Sequence, residues 1–407
     1  MFSFSKKRNT QFGKRSSERI FLDYASTTPV DQKVFEKMKP FFSHNFFNPA
    51  ALYNEAISIK KIINDYRIKL AKLLQVKDNE IYFTSGGTES NNIALLGIFN
   101  FYKNKINNPH FIISKIEHPS IIETIKFIEK KGGEVSMIGV NIEGIIDLEQ
   151  LKNSLQENTV LVSIIYANNE IGVVQPVSKI SRIIKKYKKE KSISENSAPF
   201  LHTDASQAPV YLDCNCDHLK VDMMTLDGSK IYGPKGSGCL IKKSYVEIEN
   251  INFGGGQEKG LRSGTENVPM IVGFSEAFMN AQNDFKKESR KVSEMRNYFA
   301  EELKKELPDI SINGSTEHRI ANNLNICLEG VDAEFTVIKL DQEGLACAYT
   351  TACKTLGDES KSYVVEALNN GNCEASSLRF SLGRETDKSE LKKAVKIIKK
   401  VLNSVKK

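Results

Sequence analysis

The sequence predicts an α/β protein: a mostly parallel sheet in a large domain, followed by a smaller α+β domain. Three observations carry this. From Ile20 onward, short apolar runs alternate with longer amphipathic stretches, the βα pattern of a parallel sheet covered by helices on both faces. The chain has 407 residues, enough for two domains with ample core. Past Val268 the alternation gives way to a long charged helical stretch and then to mixed helix and strand pieces.

The expected strands are 81–84, 110–114, 134–138, 161–167, 200–204, 221–225 and 238–241, with helices such as 56–74, 120–131 and 178–189 between them. Segment 190–198 (EKSISENSA) is polar, lacks an apolar period and reads as an exposed loop. The second domain begins with a helix near 274–307, continues through a strand near 321–328 and ends in an amphipathic helix. In that last helix Leu391, Val395, Ile398, Leu402 and Val405 recur at helical spacing behind an Asp387/Glu390 capping pair. The domains are set at 20–270 and 271–407, with residues just after Ile20 packing on the second. Segment 1–19, basic and without an acid before Glu18, reads as a flexible leader. It lacks the apolar stretch of a secretory signal, while organelle import stays open.

Composition excludes several classes. No apolar run approaches the ~20 residues that cross a bilayer. The net charge of +7 comes from scattered lysines that do not cluster with aromatics, so neither a membrane nor a direct nucleic-acid partner is expected. Seven cysteines without paired spacing suggest reduced thiols and a cytoplasmic setting. Cys214 and Cys216 are too close for a zinc knuckle and have no complementary pair, so no metal is expected.

The candidate chemistry centres on TLDGSKIYGPKG, residues 225–236. A short apolar strand ends in a polar turn that delivers Lys230, and the Gly-Pro-Lys-Gly that follows forces a sharp loop. An amine held there is a candidate Schiff-base nucleophile; taken alone, the stretch favours a solvated surface lysine. Other strand ends supply what a pyridoxal phosphate (PLP) site requires. TSGGTESNN, 84–92, offers glycines and a helix start for a phosphate. Asp204 closes FLHTD, where a carboxylate keeps a pyridine nitrogen protonated and the cofactor an electron sink. Gln207 lies about one turn on, within reach of the phenolic oxygen. His118 of KIEHPS follows another strand end, suited to a face-on ring contact or to acid/base work.

Together with LDYASTTPV, NNEIGVVQP, GGGQEKGLRSGTEN and SLRFSLGRET, these segments resemble the class V aminotransferase family of fold-type I PLP enzymes. Within it they resemble the cysteine desulfurases of the NifS/IscS type, in order and spacing over about residues 20–400. The resemblance implies a homodimeric enzyme that converts L-cysteine to L-alanine and passes the sulfur, as a persulfide, to an acceptor protein of iron–sulfur cluster assembly or tRNA thiolation. It implies that Lys230 holds PLP covalently, that Thr88 with the Gly87 backbone binds the phosphate, and that His118 stacks on the ring. Asp204 and Gln207 would contact the ring nitrogen and phenolic oxygen. Asn169 and Asn48 would place the substrate, Arg379 would pair with its carboxylate, and Thr265 would reach the phosphate in the other subunit. The stretch YTTACKT puts Cys353 in the place of the sulfur-accepting thiol, on a loop near 346–360, with Lys354 beside it to favour the thiolate. Cys347, the nearby rival, falls in the apolar run GLACAY.

Three departures from the family pattern stand out. Asp227-Gly228-Ser229-Lys230 replaces Ser-Gly-His-Lys, so a carboxylate takes the place of a phosphate-binding hydroxyl, and Ser229 is left as one hydrogen-bond donor to the cofactor. Tyr53 stands where relatives have histidine, and 190–198 is longer than usual. Two alternatives follow. Another class V activity, such as selenocysteine lyase or aminotransferase, would not depend on Cys353; a catalytically poor sulfur-relay scaffold would result if Asp227 spoiled cofactor binding.

Overall fold

The structure, a computed structural model, describes residues 19–349, 361–369, 371 and 373–405. The strands in chain order are β1 Ile20–Phe21, β2 Ile81–Thr84, β3 His110–Ser114, β4 Glu134–Ile138, β5 Thr159–Ser163 and β6 Phe200–Asp204. They continue as β7 Met223–Asp227, β8 Gly238–Lys242, β9 Ser311–Ile312, β10 Asn323–Cys327, β11 Leu345–Ala346 and β12 Ser377–Ser381.

Seven of them form one sheet in the order β2-β8-β7-β6-β5-β3-β4. From β4 to β7 all neighbours run parallel, and β8 lies antiparallel between β7 and β2. Two successive reversals leave β2 pointing the same way as β7. The carboxyl ends of β2, β3, β5, β6 and β7 therefore open on one edge, where ligands of such sheets sit. The central strands are apolar runs because both their faces are covered: all five residues of β5 (TVLVS) and of β6 (FLHTD) are buried. Edge strand β4 keeps Glu134 and Met137 exposed.

Two expected strands move. The segment read as 161–167 pairs only over Thr159–Ser163, although Tyr166 N–H still donates to the Asp204 carbonyl at 2.9 Å. The strand read as 221–225 runs instead from Met223 to Asp227. Asp222 lies just ahead of it, its N–H donating to the Leu201 carbonyl and its carbonyl accepting the Lys243 N–H, both at 2.9 Å, while its carboxylate accepts the Leu201 N–H and the Tyr245 hydroxyl. At the other end Asp227 pairs with Gly238. The shift matters because it fixes Asp227 within the ladder.

The helix Val268–Glu306, 39 residues and so roughly 58 Å long at 1.5 Å per residue, runs from this sheet to the C-terminal elements. Phe274, Phe278 and Phe299 are buried along it, and Phe299 meets Phe380 of β12 edge-on at 5.4 Å. Beyond it β12-β10-β9 form an antiparallel sheet, and the last helix, Lys388–Val405, packs on the long helix and on the helix Ala333–Gln342. Near the N-terminus, β1 pairs in parallel with β11.

Candidate active site

The strand ends converge on a cavity of about 200 Å³, lined by Gly87, Thr88, Asn91, His118, Asn169, Asp204, Ser206, Gln207, Asp227, Lys230 and Arg379 among others. Each arrives by a short path. Thr84 ends β2, and the helix Gly87–Tyr102 starts three residues later. His118 caps the helix Pro119–Lys130 after β3. Asp204 ends β6, and Asp227 ends β7 just before the single helical turn Gly228–Lys230. A larger surface cleft of about 910 Å³ lies at the opposite, amino edge of the sheet and is lined by lysines and acids such as Lys188 and Asp222. It contains none of this constellation.

Lys230 donates to the Ser26 carbonyl. Asp204 is buried with both oxygens bonded: Oδ2 accepts from Asn91 Nδ2 at 2.8 Å, while Oδ1 accepts the Ser206 N–H at 2.9 Å and its hydroxyl at 2.6 Å. His118 Nδ1 lies 2.8 Å from Ser120 Oγ and accepts the Ser120 N–H at 3.2 Å. Burial lowers its pKa, an effect that Asp204 partly offsets. A neutral ring whose Nδ1 accepts must carry its proton on Nε2. Gln207 is held by a bond from Nε2 to the Ala25 carbonyl, 2.9 Å.

Arg379, only 1% exposed, lies on β12, so the C-terminal part of the chain supplies this wall of the cavity. Its Nη1 donates to the Asn169 carbonyl at 3.0 Å, and its Nη2 to Asp23 and Ser26 at 2.7 and 2.8 Å. Its Nε is buried with no protein acceptor among the described residues, a donor left for an anion. Behind His118, Glu117 is fully buried and bonds Ser114 Oγ and the Ile165 N–H; burial pushes its pKa up to about 8.

At the mouth of the Gly87–Tyr102 helix, Asp227 Oδ2 accepts the Gly87 N–H at 2.9 Å, and its Oδ1 accepts both the Ser229 N–H and hydroxyl at 2.7 and 2.6 Å. The Ser229 hydroxyl, expected to face the cofactor, is thus turned to the carboxylate. Gly87, Thr88, His118, Asn169, Asp204, Gln207, Lys230 and Arg379 do come together. Asn48 and Thr265 do not: both are exposed and neither lines the cavity, and Asn48 instead accepts the Ala50 N–H in its own turn. Cys353 lies outside the described residues. Cys347 is bound in apolar surroundings that raise its pKa, as its sequence context suggested.

Sequence reasoning missed Asn91, Ser206 and Asp23. Asn91 carried a usable signal: it stands three residues after Thr88, hence on the same face of the helix that faces the cavity. One expectation is overturned. Cys327 and Cys373, 46 residues apart, form a disulfide, so the cysteines are not all reduced thiols. Their wide separation leaves no local spacing pattern; β10 and the segment before β12 meet only in the fold.

A family model described as aminotransferase class V matches residues 20–393. The chain belongs to the class V aminotransferase family. Among its relatives are proteins named cysteine desulfurase IscS. That of Dictyoglomus turgidum is 36% identical over 387 residues, covering 95% of each chain; that of Histophilus somni is 38% identical over 392 residues, covering 95% of this chain and 93% of its own. Among solved structures, a NifS-like protein superposes with a TM-score of 0.86 at 30% identity, covering 95% of this chain and 100% of its own. A NifS-like protein from Rickettsia africae gives 0.82 at 29% identity, covering 95% and 99%.

The cofactor of this family is PLP, and the residues present fit it. A buried carboxylate with fixed oxygens, a neutral imidazole, an amide and a lysine line one cavity. At its phosphate end the backbone is drawn close: a Cβ on Gly87 would stand 2.9 Å from Ser206 Oγ. The departure is Asp227, already bonded to the amide of Gly87.

Proposed function

We propose that this protein is a PLP-dependent cysteine desulfurase that yields L-alanine and a persulfide on Cys353. The observation that carries the reading is the convergence of Lys230, Asp204, His118 and Arg379 on one cavity at the carboxyl edge of the sheet. When bound, PLP supplies an electron sink for the carbon skeleton of the amino acid.

The chain's own residues do the rest. Lys230 is the amine that would anchor the cofactor and could serve as base or acid within the cavity. Asp204, its oxygens fixed by Asn91 and Ser206, holds a proton at the ring nitrogen. His118, held through Nδ1 by Ser120, would stack on the cofactor ring. Arg379 orients the substrate through its carboxylate, with Asn169 beside it. The Cys353 thiolate attacks the substrate Sγ; the new S–S bond forms as the Cβ–Sγ bond breaks, and the bonding pair leaves with the carbon skeleton, which takes up a proton to become alanine. A second copy of the chain, contributing the exposed Thr265 to the phosphate end, and a sulfur-acceptor protein of iron–sulfur assembly or tRNA thiolation complete the reading.

The test is alanine and sulfide release from L-cysteine by wild type, Lys230→Ala and Cys353→Ala. The reading expects turnover by wild type, no activity in Lys230→Ala, and a yellow Cys353→Ala enzyme that releases no sulfide. Full activity in Cys353→Ala would instead favour a lyase or an aminotransferase.

A further inference from the structure

The phosphate of the cofactor is expected at the N-terminus of the Gly87–Tyr102 helix, where free amides and the helix dipole attract an anion. That position already holds one. Asp227 Oδ2 lies 2.9 Å from the Gly87 nitrogen, and Oδ1 is held by the backbone and the hydroxyl of Ser229. The carboxylate has little room to withdraw with its backbone. Asp227 is the last residue of β7 and pairs with Gly238, where an added Cβ would come within 2.6 Å of Gly86 Cα. Sheet and helix turn are therefore in direct contact behind it. The Gly87 amide and the two Ser229 donors hold its carboxylate in place.

We propose that Asp227 is an internal competitor for the phosphate of the cofactor. Resting on the PLP reading above, this makes the chain hold its cofactor chiefly through the ring and Lys230, with the phosphate adding little. The physical reason is like-charge repulsion: a phosphate dianion entering the cradle must either displace the carboxylate from its three donors or sit against it in a site of reduced dielectric. The usual pattern at this position offers a neutral hydroxyl, which would donate to the phosphate instead.

The experiment compares the affinities of the full-length apoprotein for PLP and for pyridoxal, which lacks the phosphate. Both are read from the absorbance of the lysine-bound chromophore, in wild type, Asp227→Ser and Asp227→Asn. For wild type the two dissociation constants are expected within about tenfold of each other. Both variants should tighten PLP at least tenfold while leaving pyridoxal within about twofold. Inorganic phosphate should compete with PLP in Asp227→Ser and not in wild type. A wild-type preference for PLP over pyridoxal of a thousandfold or more overturns the proposal without recourse to any variant. So does an unchanged or weakened PLP affinity in variants that still bind pyridoxal normally. Wild type that binds neither compound overturns the cofactor reading itself, a result distinct from both.

Discussion

Asn91 Nδ2 donates to Asp204 Oδ2 at 2.8 Å and also lies 2.9 Å from Ser120 Oγ, the hydroxyl that touches His118 Nδ1. One buried amide thus ties the carboxylate expected at the ring nitrogen to the imidazole expected on the ring face. Asn91 is a positioning residue. Asn91→Ala leaves Asp204 short of a donor, which costs about 1–3 kcal/mol where a buried acceptor is orphaned. The expected result is a fall in kcat of roughly tenfold with KM little changed, and a displaced cofactor absorbance maximum. A purely structural role would lower the thermal midpoint and leave the spectrum alone.

In the proposed function Arg379 would bind the substrate through planar geometry as well as charge. Its Nη2 is committed to Asp23 and Ser26 and its Nη1 donates to the Asn169 carbonyl, while Nε has no protein acceptor among the described residues. Lysine restores the charge but cannot hold Asp23 and a substrate carboxylate together. Arg379→Lys is expected to raise KM for L-cysteine by about tenfold or more, a change of about 1.4 kcal/mol, while cofactor affinity stays near wild type. Equal losses in both would place Arg379 in the scaffold rather than at the substrate.

Glu117 makes stability depend on pH. Its folded pKa is raised to about 8 by burial, whereas in the unfolded chain it titrates near the ordinary value. Between those two values the folded state holds a proton that the unfolded state has lost. Stability therefore falls as pH rises from about 4.5 to about 8 and is level on either side. The loss should be on the order of a few kcal/mol. Glu117→Gln, which keeps the hydrogen-bonding shape without the titration, is expected to flatten the profile of thermal midpoint against pH in that window. An unchanged slope would assign the pH dependence to other groups.

The Cys327–Cys373 bond encloses a loop that includes the whole region of Cys353. Denatured without reductant, the protein should show two fewer reactive thiols than its seven cysteines. Closing a loop of 46 residues restricts the unfolded chain by about 4 kcal/mol in the entropic account, so Cys327→Ala/Cys373→Ala should lower stability by up to that amount. Seven reactive thiols before reduction would refute the pairing.

Much of the fold was legible because the strands are short, largely apolar runs set between amphipathic helices. The runs at 81–84, 110–114, 134–138 and 200–204 appear as strands with the expected bounds. The family segments, read with their spacing, also brought Lys230, Asp204, Gln207, His118 and Arg379 into one group. What stayed hidden depends on side chains meeting across long separations. Asn91 and Asp204 are 113 residues apart, Arg379 and Asp23 356. That Asp227 turns towards Gly87 rather than solvent follows from the β7 register, which runs two residues past the expected strand end at Thr225. Its apolar content ends at Leu226, and nothing in the composition marks Asp227 as part of the ladder.

The pairing of β1 with β11 sets a constraint on biosynthesis. Ile20 and Phe21 find their partners only in Leu345 and Ala346, and the neighbouring contact of Arg19 with Asp341 spans 322 residues. A ribosome adding about 5–20 residues per second needs on the order of tens of seconds to supply that partner strand. For all of that time the first strand of the nascent chain has an open edge, and the wall that carries Arg379 has not yet been translated. The strand emerges long before the partner on which it docks, so this protein is expected to lean on chaperones that shield an exposed strand edge.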